Sequence, residues 1–239
     1  MNILIEPLFI GLIQTFISIV LISGLFFFGR TISINFFPNY NNALCSFLLS
    51  VIFFSQLLKI FSFIGYFKEI NFILVITISV FGIYNLKFNF NSYKNLYFYF
   101  NFHKSFFEVL LIILLISFFI ISISPPTMAD ALDYHYGIPL YLLNFNMLPD
   151  PYMWVHGSFS NNGEFINALA IYSGTDNFGS FLQFFTLLCF IIFLKNKIKD
   201  KKKFIFIIVF ILSSPTLLQL ISGPKFLLFP QIATTTALL

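Results

Sequence analysis

The sequence predicts an all-α fold, a polytopic transmembrane helical bundle of about six or seven spans whose polar outer loop contains short interfacial helices. Three observations predict it. Of 239 residues, 59% are hydrophobic and only 9% are charged, against about 25% charged in a soluble domain. Mean hydropathy is +0.92, a value with no water-soluble reading. Apolar runs long enough to span a bilayer recur along the chain. The 38 phenylalanines read as codon bias in an AT-rich genome rather than as aromatic binding sites.

The first run covers about Leu8 to Phe28 and stops at Arg30 and a polar stretch ending PNYNN. The N-terminus lacks a basic region and a small-residue cleavage pattern, so it reads as a retained span rather than a signal peptide. Ala43 to Leu86 holds two spans split near Lys68 and Glu69. Lys59 lies inside it, where a central lysine costs about 2.5–3.5 kcal/mol, relieved by snorkelling or an interior-facing position. Lys87 to Lys104 is polar and rich in Asn and Tyr, and Phe106 to Ile123 is an uninterrupted span. Pro125 and Pro126 end that helix because proline cannot donate the next backbone hydrogen bond.

Ser124 to Asn162 is too polar to cross lipid; within it, Ile138 to Met147 fits an interfacial helix. Gly163 to Leu194 is apolar but interrupted at Gly174-Thr175-Asp176, which predicts either a short helix plus a span or a broken helix. After a lysine-rich loop come Phe204 to Ile221, containing Pro215, and a last run from Phe226 to Leu239. Two parts follow: residues 1–104, about three spans and a cytoplasmic polar stretch, and residues 105–239, a partial core with an acidic outer loop at 124–162. There is no internal repeat. The last residues, IATTTALL, are still apolar, as expected for an N-terminal fragment of a longer protein.

Charge distribution sets the expected orientation. Six lysines crowd Lys195 to Lys203. With these inside, Arg30, Lys87, Lys94 and Lys104 also fall inside, giving ten of the thirteen basic residues. Lys68 and Lys225 fall outside. The lysine cluster is a headgroup-facing loop rather than a nucleic-acid patch. Cys45 and Cys189 both lie in apolar runs, which argues against a disulfide framework or a thiolate metal site.

The chemistry concentrates on the predicted outer side. Asp130, Asp133, Asp150, Glu164 and Asp176 are five of the nine acids and fall within 47 residues, accompanied by His135 and His156 and by no Lys or Arg. If the chain turns helical after the prolines, Asp130, Asp133 and Tyr134 stand at i, i+3 and i+4 and share a face, with Gly137 leaving room for something to approach. Two such carboxylates can deprotonate a hydroxyl or hold a divalent cation. The plainer reading is a helix cap at Asp130 with solvated neighbours. Glu164 stands at a helix start, where an acid suits the helix dipole; the alternative is a second carboxylate of the site. His135, beside Asp133, can orient a substrate, bind a metal or serve structure alone. His156 follows Trp154, a membrane-interface anchor. Lys225 can meet a lipid phosphate as a point charge or simply snorkel.

A membrane helix, Pro125-Pro126 at its outer end, then Asp130 with Tyr134 four residues later resembles the first outer loop of GT-C glycosyltransferases, multi-span enzymes that use lipid-phosphate-linked sugars. The branch it most resembles holds the bacterial relatives of protein O-mannosyltransferases and lipid A aminoarabinose transferases. The stretch Tyr134-His135-Tyr136-Gly137-Ile138-Pro139 is similar to uncharacterised members. The resemblance covers roughly Phe106 to Leu239. It implies transfer of a sugar from a polyprenyl-phosphate donor to a glycan, lipid or protein acceptor. The site would lie on the periplasmic (outer) face of a bacterial inner membrane. Asp130 would be general base, Asp133 a second catalytic acid, and Tyr134, His135, Glu164 and Lys225 would bind substrate. Many members carry a second acid directly after the first; here Ala131 fills that position and the next acid is Asp133. No cofactor is implied beyond a divalent cation held by Asp130 and Asp133. The competing classes are a multi-span transporter, since membrane acids often mark ion pathways, and a non-catalytic membrane protein.

Overall fold

A computed structural model of the chain describes residues 2–38, 42–88, 106–126, 133, 135–150, 152, 154, 162–223 and 231–232. Among these there are helices and no strand. They are α1 (Asn2–Phe36), α2 (Ala43–Ile64), α3 (Phe67–Phe88), α4 (Phe106–Ile123), α5 (Gly137–Phe145), α6 (Asn162–Tyr172), α7 (Phe178–Lys197), α8 (Lys201–Leu212) and α9 (Pro215–Ser222). Five of them, α1 from Phe9, α2, α3, α4 and α7, are long and apolar enough to cross a membrane. The pair α8 and α9, bent by 65° at its break, makes a sixth span if counted as one. The protein is a polytopic α-helical membrane protein, as the composition predicts.

Several boundaries differ from expectation for identifiable reasons. α1 continues past Arg30 to Phe36; an exposed arginine is a good helix former, and Pro38 lies just beyond the helix. The α2–α3 break falls at Gly65 rather than at Lys68-Glu69. Gly65 adopts φ 82 and its N–H returns to the Phe61 carbonyl, a left-handed C-cap that suits glycine. Lys59 lies near the end of α2 and is half-buried, a position from which its ammonium can snorkel. The expected span Phe204 to Ile221 breaks at Ser213-Ser214 because Pro215 cannot continue α8 and instead opens α9.

α1, α2 and α3 pack through small residues. A side chain on Gly24 would land on the Ile78 carbonyl, one on Gly82 on the Val20 carbonyl, and one on Gly29 on the Ser46 carbonyl. Backbones touch there, the arrangement by which membrane helices gain van der Waals contact without a hydrophobic drive between them. Asn85 on α3 adds hydrogen bonds to the Ser23 carbonyl (3.2 Å) and hydroxyl (2.9 Å) of α1.

α7 is the most deeply buried of the spans, and it organises the rest. At its far end Lys201 pairs with buried Glu108 at 2.6 Å, tying the start of α8 to the start of α4. At its near end Asn177 donates to the Ile123 carbonyl, the last residue of α4, at 3.3 Å. Gln183 Nε2 donates to the carbonyls of Leu220 (2.7 Å) and Gly223 (2.6 Å), satisfying the end of the half-helix α9. The lysine cluster therefore stands at one end of the bundle and the start of α7 at the other.

Candidate functional site

The end of the bundle away from the lysines is built on α5, α6 and the break between α6 and α7. α5 corresponds to the expected interfacial helix, shifted by a residue or two. It buries Ile138, Pro139, Leu142 and Leu143 and exposes Leu140 and Phe145. Asn146 ends it at φ 64, a left-handed position that asparagine tolerates. The Asn146 side chain then accepts from the Lys68 N–H at 2.7 Å, so it caps the start of α3 and ties α5 to that end.

α6 is short, yet Gly163 through Ala170 are all buried. It packs against α2, α3 and α5, and Phe165 meets Phe67 with ring centroids 6.2 Å apart. A helix apolar on most sides can be this enclosed, but α6 also carries Glu164 and Asn167, each 2% exposed. Glu164 Oε1 lies 2.7 Å from His135 Nδ1, and His135 is itself buried. The dipole reading of Glu164 is thus incomplete: its carboxyl is used in a buried hydrogen bond that crosses 29 residues of sequence.

The next residue, Tyr136, donates its hydroxyl to the backbone carbonyl of Asp176. Burial, and then the Asp176 charge, push its phenol above the ordinary value of 10, so the group stays protonated and remains a donor. Gly137 follows. The room it was expected to leave is occupied by Trp154, whose Cη2 would sit 2.7 Å from an added Cβ. Trp154 packs onto the buried core, so it is a local buttress rather than only a membrane anchor.

The interruption at Gly174-Thr175-Asp176 is a polar joint. Gly174 turns at φ 78. Ser18 on α1 bonds to Thr175 (3.0 Å) and to the Asn177 side-chain oxygen (2.9 Å), which also accepts from Thr175 (2.9 Å). Asn177 Nδ2 reaches Thr15 at 3.2 Å. These are buried, mutually satisfied groups, which specify a single arrangement of α1 against the joint.

Of the residues singled out from sequence, the structure joins His135 to Glu164 and leaves Asp133 exposed to solvent. Asp130, Tyr134, His156 and Lys225 lie outside the described residues, so the shared face of Asp130, Asp133 and Tyr134 does too. Among the described residues no three His, Cys, Asp or Glu side chains group closely enough to hold a metal ion. Sequence reasoning missed Tyr136, Asn167, Asn71 and Asn177. Tyr136 carried a signal, its place in the Tyr134 to Pro139 stretch; a lone asparagine in an apolar helix was the signal for Asn167 and Asn71.

Fold and site together define a multi-span helical membrane protein with a polar, acid-bearing end opposite a lysine-rich one. The family model for the DUF1420 N-terminal domain matches residues 44–239, most of the chain, and the protein belongs to that family. No curated protein and no solved structure matches it.

Proposed function

We propose that this protein is a membrane-embedded glycosyltransferase whose acid-rich end faces away from the cytoplasm in a bacterial inner membrane. The single observation that carries the reading is the buried His135–Glu164 hydrogen bond at 2.7 Å. It fastens His135 to the buried helix α6 at the end of the bundle away from the lysines, the end that, in this reading, meets a lipid carrier's headgroup and water. Asp133, two residues before His135, is exposed. The resemblance to GT-C enzymes supplies the reaction class.

In this reading a polyprenyl-phosphate sugar approaches from the outer leaflet and the acceptor hydroxyl oxygen attacks the anomeric carbon. The bond from that carbon to the phosphate oxygen breaks, polyprenyl phosphate leaves with the electron pair, and Asp130 takes the acceptor proton. Lys225 meets the departing phosphate charge. His135 and Glu164 are positioning residues here, because His135 Nδ1 and Glu164 Oε1 are engaged with each other.

General-base assistance is worth about 10²–10⁴ in rate, so Asp130→Asn lowers transfer of labelled sugar from a polyprenyl-phosphate donor by that factor while membrane insertion is unchanged. Equal turnover in wild type and variant rejects Asp130 as base. Absence of transfer by the wild-type chain, with proton-coupled uptake into vesicles instead, replaces the enzyme with a transporter.

A further inference from the structure

Among the described residues, Asn167 is the least explained side chain. It is 2% exposed, and among the described residues neither its Nδ2 nor its Oδ1 has a hydrogen-bond partner. Asn71 on α3 is fully buried; its Nδ2 donates to the Ala168 carbonyl at 3.3 Å, but its Oδ1 is also without a partner. Asn167 follows Glu164 by three residues on α6, so the two share a face one turn apart. Ala168, against which Asn71 lies, is the next residue. One donor and two acceptors are thus left open on two buried asparagines that meet α6 at adjacent residues, 167 and 168.

Buried polar atoms of this kind are rare because each forfeits its hydration without return. An asparagine placed in an apolar helix with both ends unpaired is less favourable than a leucine of similar size. The residue type makes sense when something else completes the set. What fits is a group that accepts one hydrogen bond from Asn167 Nδ2 and donates to an amide oxygen, which is the property of an O–H group. An anion has no proton to donate to Oδ1, and a metal ion would be repelled by the Nδ2 hydrogens.

We infer that Asn167 and Asn71 form an internal site on α6 that binds a hydroxyl group. The group comes either from a trapped water or from a sugar or polyol hydroxyl. The site does not depend on the glycosyltransferase reading, although a sugar occupant would make it the donor or acceptor subsite of that reaction.

The experiment compares wild type, Asn167→Leu and Asn167→Asp in detergent or nanodiscs, by thermal unfolding with and without monosaccharides at millimolar concentration. An occupied site means that Asn167→Leu removes real hydrogen bonds and lowers Tm by a few degrees. Asn167→Asp, which keeps an acceptor but loses the donor, falls as well. Monosaccharide-dependent stabilisation of the wild type that vanishes in Asn167→Leu identifies a sugar hydroxyl. A drop in Tm without any monosaccharide effect identifies water. If Asn167→Leu is as stable as the wild type or more so, the polar atoms were unpaired in the working protein and the inference is overturned. This holds whether or not sugar transfer is ever detected.

Discussion

Removal of the His135 imidazole tests the contact that seats the acidic segment. In the structure Nδ1 and Glu164 Oε1 are 2.7 Å apart, with the two side chains 8% and 3% exposed. In His135→Ala the Glu164 carboxyl stays inside α6's packing without this partner. A buried polar group so deprived costs about 1–3 kcal/mol, more for a charged one. A loss near 3 kcal/mol corresponds to about 6–12 °C in Tm for a chain of this size. Glu164→Gln keeps an acceptor oxygen at the same reach and loses about 1 kcal/mol. The double variant His135→Ala/Glu164→Leu recovers part of the loss, because the pair is then removed together and the coupling is about 0.5–3 kcal/mol. The assay is built into the chain: Trp154 is its single tryptophan and packs over Gly137, two residues from His135. Its fluorescence follows local unfolding directly. Unchanged Tm and unchanged Trp154 emission in His135→Ala would refute the seating contact.

Two further outcomes follow from the packing. Tyr136 has its phenol raised in the folded state relative to the unfolded value of 10. Its contribution to stability is therefore complete below pH 10 and is lost as pH rises above that value, at up to about 1.4 kcal/mol per pH unit. Tyr136→Phe shows a shallower alkaline decline than wild type in chemical unfolding between pH 9 and 11; parallel curves would remove the hydroxyl from the buried contact with Asp176. Gly82→Val drives a side chain into the Val20 carbonyl of α1 and costs at least about 1–3 kcal/mol of packing, read as lower Tm and lower yield of folded protein. Half-buried Gly11, where an added Cβ meets nothing within 4 Å, accepts alanine without loss, and equal damage at both positions would contradict the crossing.

The spans were legible in the sequence because the bilayer imposes length and apolarity on each one independently of its neighbours. Phe106 to Ile123 is the same in the sequence and in the structure. Where local chemistry set an end, the signal was in the residues as well, at Pro215 and Gly65. Arg30 marks no terminus, because an exposed charge does not stop a helix, and α1 runs on to Phe36. At the candidate site the pattern gave members but not partners. His135 and Glu164 were both singled out, yet 29 residues separate them, and no periodicity reaches that far. Asn177 was invisible for the same reason, since its partners on α1 lie about 160 residues away. The interruption at Gly174 is legible as a break, and only packing shows that it is held by hydrogen bonds between Thr175 and Ser18 and from Asn177 to Thr15.

The bundle has two opposed ends, and impermeant thiol labelling of intact cells tests on which side of the membrane each one lies. In a chain with Cys45 and Cys189 replaced, one variant carries Asp133→Cys and another Asn196→Cys, both at exposed positions. With the acidic end outside, a membrane-impermeant maleimide modifies residue 133 in intact cells and residue 196 only after permeabilisation. Labelling of residue 196 from outside, with residue 133 protected until the membrane is opened, would contradict it and place the acidic end in the cytoplasm.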